Sequence, residues 1–138
     1  CAASPMTAMP ATICVVDDDE AVRDSLHLLL STRGFVVRGY ESAKAFLADP
    51  SPANCRCLLI DMHMPEMTGL ALLDVLRRRG MNAPAIIITG GGDQTLAELV
   101  ERAGAFGLLR KPVMEVDLFS WVDRAIATGP RCNEICAP

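Results

Sequence analysis

Thr12-Ile13-Cys14-Val15-Val16-Asp17-Asp18-Asp19 is the stretch on which the reading of the fold turns. A short apolar run rich in β-branched residues, stopped abruptly by acids, reads as a buried strand. Its carboxyl end then carries the acids, and open α/β sheets place their ligand sites at that edge. Carboxylates held together repel one another unless a cation sits between them, and a divalent metal is the usual one. The stretch therefore predicts a strand, an edge and a cation.

Outward from it, strand-like runs alternate with helical ones. Further strands are expected at Phe35 to Tyr40, Cys57 to Ile60, Ala85 to Thr89 and Phe106 to Leu109. Between them Val22, Leu26, Leu29 and Leu30 recur at helical spacing, and Gly34 stands where a helix stop is wanted. Ser42 is the expected N-cap of a short helix ended by the Asp-Pro-Ser-Pro stretch. Leu70, Leu73 and Leu76 form a stripe closed by Gly80, and Leu96, Leu99, Val100 and Ala103 one closed by Gly104. Leu118, Trp121, Val122 and Ala125 form the last, ended by Gly129-Pro130. All these stripes are expected to be core. Strand and helix in strict alternation imply βαβ units and a parallel sheet covered on both faces.

Composition agrees. The chain has 138 residues, one domain's worth, with 51% hydrophobic but only 4% aromatic residues, which suits an aliphatic core. A net charge of -4 argues against a nucleic-acid surface. No apolar run approaches the roughly 20 residues of a membrane span, and CAASPMTAMP lacks the pattern of a secretory signal. Met6 and Met9 are candidate native starts, with a processed end the other reading of Cys1. Cys14 and Cys57 read as small buried hydrophobes. Cys55-x-Cys57 with a distant Cys132-x3-Cys136 is a poor match to a zinc site, so a reducing, cytoplasmic compartment is expected.

Three more chemical groups stand at strand ends. Leu58-Leu59-Ile60 ends at Asp61, Ile86-Ile87-Ile88 ends at Thr89, and the last strand runs into Arg110-Lys111-Pro112. In a parallel sheet these ends share one edge, so Asp17, Asp18, Asp61, Thr89 and Lys111 are expected to converge. Carboxylates suit Mg2+, which accepts phosphate oxygens. A hydroxyl and an ammonium can hold the other oxygens of a phosphoryl group in transfer. Asp61 is the candidate nucleophile, since a carboxylate can form an aspartyl phosphate.

The motifs VVDDDEAVR, LLIDMHMPEMTGLALL, IIITGGGD and AGAFGLLRKP, in this order and spacing from about Thr12 to Ala127, resemble the receiver domain of two-component response regulators. The wording is similar to the FixJ-type subgroup. The resemblance implies an α/β, flavodoxin-like (βα)5 doubly wound sheet with strand order 2-1-3-4-5. It divides the chain into an N-terminal extension (1–11), the receiver (12–127) and a C-terminal tail or start of a linker (128–138), with no helix-turn-helix output module expected in this chain. It implies Asp61 as phosphoacceptor and Asp18 as a direct Mg2+ ligand. Asp17 would act largely through water, the His63 backbone carbonyl would be a further ligand, and Asp19 would be solvated. Thr89 and Lys111 would engage the phosphoryl group, the Lys111–Pro112 peptide being cis.

The implied function is a phosphorylatable switch rather than a turnover enzyme. It would be charged by a sensor histidine kinase or phosphotransfer protein and read through the fourth helix, fifth strand and fifth helix, by a partner or a second copy. Leu108 departs from the pattern, standing where the family usually has Tyr or Phe. Phe106, two residues earlier, is expected on the same side of the strand as Leu108 and in the core. For the His63 side chain there are two readings, a place over the phosphate pocket that tunes the lifetime of the acyl phosphate and a solvent-exposed loop position where only the carbonyl matters. The second is expected, and His27 is expected at the surface. Two other readings compete. A degenerate receiver would serve only as a binding scaffold. A Mg2+-dependent aspartyl-phosphate hydrolase would often carry a second acid two residues after the nucleophile, where this chain has His63.

Overall fold

The computed structural model describes residues 11–49, 55–90 and 94–128. The expectations at Met6, Met9, Pro50 to Pro52, Gly91, Gly92, Gly129-Pro130, Cys132 and Cys136 lie outside the described residues, as does the side chain of Leu96. Five strands, β1 (Thr12–Val16), β2 (Val36–Tyr40), β3 (Cys55–Asp61), β4 (Ala85–Thr89) and β5 (Gly107–Arg110), alternate with α1 (Glu20–Ser31), α2 (Ala43–Ala48), α3 (Gly69–Arg78), α4 (Gln94–Arg102) and α5 (Glu115–Thr128). The sheet is parallel throughout, in the order β2-β1-β3-β4-β5. This is the flavodoxin-like arrangement expected.

Alternation along the strands divides the core in two. Cys14, Val16, Leu58, Ile60, Ala85 and Ile87 face α2, α3 and α4, meeting Phe46, Leu72, Leu73, Leu76 and Val100. Ile13, Val15, Cys57, Leu59, Ile86, Ile88 and Leu109 face α1 and α5, meeting Leu26, Leu30, Leu118, Val122 and Ala125. Buried on both sides, the central strands read as continuous apolar runs rather than alternating ones. The helices stop where glycine permits: Gly34, Gly80 and Gly104 have φ of 86°, 85° and 82°, the left-handed conformation that closes a helix end. Ser42 and Thr68 cap α2 and α3 by accepting from the N–H groups of Ala45 and Ala71.

Two core expectations are corrected. Leu99 is 47% exposed: α4 turns Val100 into the core, and the helix presents Leu99 outward although both fit the apolar stripe. Phe106 precedes β5 rather than belonging to it, so two-residue alternation does not extend to it. It packs with the α1 and α5 side, edge-on to Trp121 at 5.9 Å, whereas Leu108 packs on the opposite face. Trp121 is half-buried and His27 is exposed. Cys14, Cys55 and Cys57 are buried free thiols. No helix among the described residues is long and apolar enough to cross a membrane.

Candidate functional site

Register carries the chemistry to one edge. Val16 pairs with Ile60, Asp61 with Ile88 and Thr89 with Arg110, so the carboxyl ends of β1, β3, β4 and β5 line up. Asp17 follows β1 directly, Asp61 and Thr89 close β3 and β4, and Lys111 follows β5, anchored by its N–H donating to the Thr89 carbonyl at 2.7 Å. Asp17, Asp61 and Thr89 are buried, while Asp18 is exposed at the rim. Ligand oxygens of Asp17, Asp18 and Asp61 lie within 4.8 Å of one another.

Lys111 faces both buried acids, with its Nζ 3.3 Å from Asp61 Oδ1 and 3.7 Å from Asp17 Oδ2. These are ionic contacts, but neither oxygen has a hydrogen-bond partner of good geometry among the described residues. Such oxygens, out of water and short of donors, are what a hard divalent cation satisfies. The residues therefore fit Mg2+ by charge, by oxygen chemistry and by unfilled acceptor capacity.

The electrostatics follow from burial. Desolvation raises the pKa of Asp17 above the ordinary carboxylate value, with the Asp19 N–H and the Lys111 charge opposing it. Desolvation, and then the Asp17 charge, raise that of Asp61. Burial works against the Lys111 ammonium, but the charges of Asp17 and Asp61 outweigh it and its pKa rises. One ammonium thus serves two carboxylates.

The flanking residues have separate tasks. Asp19 is exposed and caps α1, accepting from the Ala21 N–H at 2.9 Å. His63 is exposed at the loop after β3, and its backbone N–H counters the rise at Asp61. The Lys111–Pro112 peptide is cis. Leu108 is half-buried behind the edge. Gly69 holds α3 against the site: a Cβ there would meet the Asp61 carbonyl oxygen at 2.7 Å. Arg23, which the motif reading did not single out, donates from Nη1 to the Asp17 carbonyl at 2.6 Å. Its sequence signal is its place as the last residue of VVDDDEAVR, one turn beyond the acidic run.

The model of the response regulator receiver domain family matches residues 13–123. The chain belongs to this family. This receiver is 39% identical over 114 residues to the transcriptional regulatory protein FixJ of Rhizobium meliloti, covering 83% of this chain and 56% of that protein. It is 37% identical over 129 residues to the response regulator protein TmoT of Ectopseudomonas mendocina, covering 94% and 59%. The receiver thus spans a little over half the length of these relatives. Among solved structures, FixJ-N superposes with a TM-score of 0.79 at 38% identity, covering 88% of this chain and 97% of that one. The response regulator StyR gives 0.79 at 36%, covering 87% and 60%. The likeness to FixJ in both sequence and structure places the receiver in a FixJ-like group. Receivers are phosphorylatable switches of two-component systems that interact with histidine kinases and use Mg2+ at an acidic cluster, and this one presents the Asp17, Asp18 and Asp61 group.

Proposed function

We propose that Asp61 of this receiver accepts a phosphoryl group from the phosphohistidine of a sensor histidine kinase or phosphotransfer protein. The supporting observation is a buried carboxylate at a strand end, paired with Lys111 at 3.3 Å and next to two more acids. Asp17, Asp18, Asp61 and the backbone carbonyl of His63 would hold Mg2+, which when bound neutralises charge developing on the transferred oxygens. Asp61 attacks phosphorus, the bond to the donor nitrogen breaks, and an aspartyl phosphate results. Lys111 pairs with the phosphoryl oxygens and Thr89 donates its hydroxyl to them. The same site hydrolyses its own acyl phosphate, so the domain is a switch and not a turnover enzyme.

The switch is then read on the surface of α4, β5 and α5, by a partner, an attached output domain or a second copy of the chain. Movement of Thr89 toward the phosphoryl group leaves space behind the edge, and Leu108, half-buried there, is the side chain placed to follow it. Residues 12–127 form the switch, with 1–11 an extension and 128–138 a tail or linker. Relatives named as transcriptional regulatory proteins support transcription control as the output, and the compartment we assign to it is the cytoplasm.

Incubation with acetyl phosphate and Mg2+, followed by intact mass measurement, tests the chemistry. One phosphoryl addition is expected in the wild type, and none in Asp61→Asn or without Mg2+. Equal addition in Asp61→Asn would refute the assignment and favour a scaffold that does not depend on phosphorylation.

A further inference from the structure

Several hydrogen bonds converge on the acidic turn after β1. The Asp17 N–H donates to the Tyr40 carbonyl of β2 at 3.0 Å, and the Asp19 N–H donates to Asp17 Oδ1 at 2.9 Å. Both secure Asp17 itself. The bond from Arg23 Nη1 to the Asp17 carbonyl, at 2.6 Å, does something different. That carbonyl belongs to the planar peptide unit joining Asp17 to Asp18, so holding its oxygen also fixes the Asp18 N–H and Cα. Asp18 is exposed, so burial does not hold its carboxylate in place. A charged donor makes a short, strong bond of this kind. The Arg23 stem passes over Gly39 of β2, where even an added Cβ would lie 3.6 Å from Arg23 Cδ, an ordinary van der Waals contact.

We propose that Arg23 is a positioning residue for the metal edge, holding the Asp17–Asp18 peptide so that Asp18 faces Asp17 and Asp61 without itself touching the cation. This rests on the metal-site reading above. It is separable from a simple charge effect by sign. Arg23 is a cation beside an acidic cluster, so if it acted only through its field, its removal would make the site more negative and tighten Mg2+ binding. A positioning role requires the opposite. Groups that orient metal ligands from behind typically contribute about 10- to 100-fold in affinity.

Titration calorimetry of Mg2+ into the phosphate-free protein decides it, with circular dichroism melting as the check on folding. Arg23→Gln removes the charge and the guanidinium fork. Arg23→Met removes charge and donors while keeping the stem over Gly39, so one variant serves if the other does not fold. The expected result is a Kd for Mg2+ raised about 10- to 100-fold, with Arg23→Lys recovering part of the loss. An unchanged or lower Kd in a folded Arg23→Gln or Arg23→Met protein overturns the inference and leaves the metal site standing. A wild type that binds no Mg2+ overturns the metal-site reading, and this inference with it.

Discussion

At the scale of the residue, the site carries an internal conflict: Asp17 and Asp61 are buried together and share one ammonium. Their pKa values lie above those of exposed carboxylates, so in the metal-free protein folding disfavours their ionised forms. A group of this kind binds protons more readily folded than unfolded, and its penalty on stability is complete above the folded pKa. The penalty fades as pH falls through that value. Asp17→Asn leaves one carboxylate for one ammonium, so it should stabilise the metal-free protein at neutral pH while abolishing Mg2+ binding. The advantage should shrink as the medium is acidified through the raised pKa of Asp17. Urea denaturation of both proteins at a series of pH values measures this. A wild type more stable than Asp17→Asn at neutral pH without metal would contradict it. Lys111 behaves conversely: its raised pKa means that its pairing stabilises the fold below the ordinary lysine value and is lost as pH rises through the folded one.

At the scale of the element, α3 and β3 are brought so close that only glycine fits at their junction. The missing Cβ of Gly69 would stand 2.7 Å from the Asp61 carbonyl and 3.1 Å from Met62 Cα, both backbone atoms that cannot turn aside. Gly69→Ala should therefore cost about 1–3 kcal/mol, the usual range for overpacking, and should slow phosphorylation by displacing Asp61. Thr68→Ala is the informative comparison. It removes the N-cap bond to Ala71, 3.1 Å long, one residue away. Its cost should be about 1 kcal/mol, with the rate of phosphorylation nearly unchanged. If both substitutions slowed phosphorylation equally, the effect would belong to loss of α3 and not to the approach of Gly69 to Asp61. Much of this was legible beforehand. Thr68-Gly69 lies within LLIDMHMPEMTGLALL, and the stops at Gly34, Gly80 and Gly104 follow from periodicity. What glycine at 69 was for was not legible, because its neighbour in space belongs to another element.

At the scale of the whole molecule, the acidic edge joins β1 and β3, and Lys111 ties it to β5. A cation bound there links segments distant in the chain, and it binds the folded state alone, since only folding assembles its ligands. Mg2+ at 100 times its Kd should therefore add about 2.7 kcal/mol of stability. The added stability should vanish in Asp18→Asn. Thermal melting with and without Mg2+ measures both, and an equal gain in Asp18→Asn would remove Asp18 from the ligand set. Leu108, on the neighbouring strand, packs against the α2, α3 and α4 side of the core.

The sequence by itself determined the order of strands and helices, the places where helices stop, and the list of groups at the strand ends. These depend on side-chain period, capping and turn chemistry, which operate within a few residues. It also sufficed for the family, because several motifs in fixed order are specific together. Only the tertiary structure decided that Lys111 would face Asp17 and Asp61 at once, and that Arg23 would reach back to the Asp17 carbonyl. Only it turned Leu99 outward and sent Phe106 and Leu108 to opposite faces. Each of those outcomes depends on which surface a distant element covers, and a local pattern of apolar residues carries no information about that.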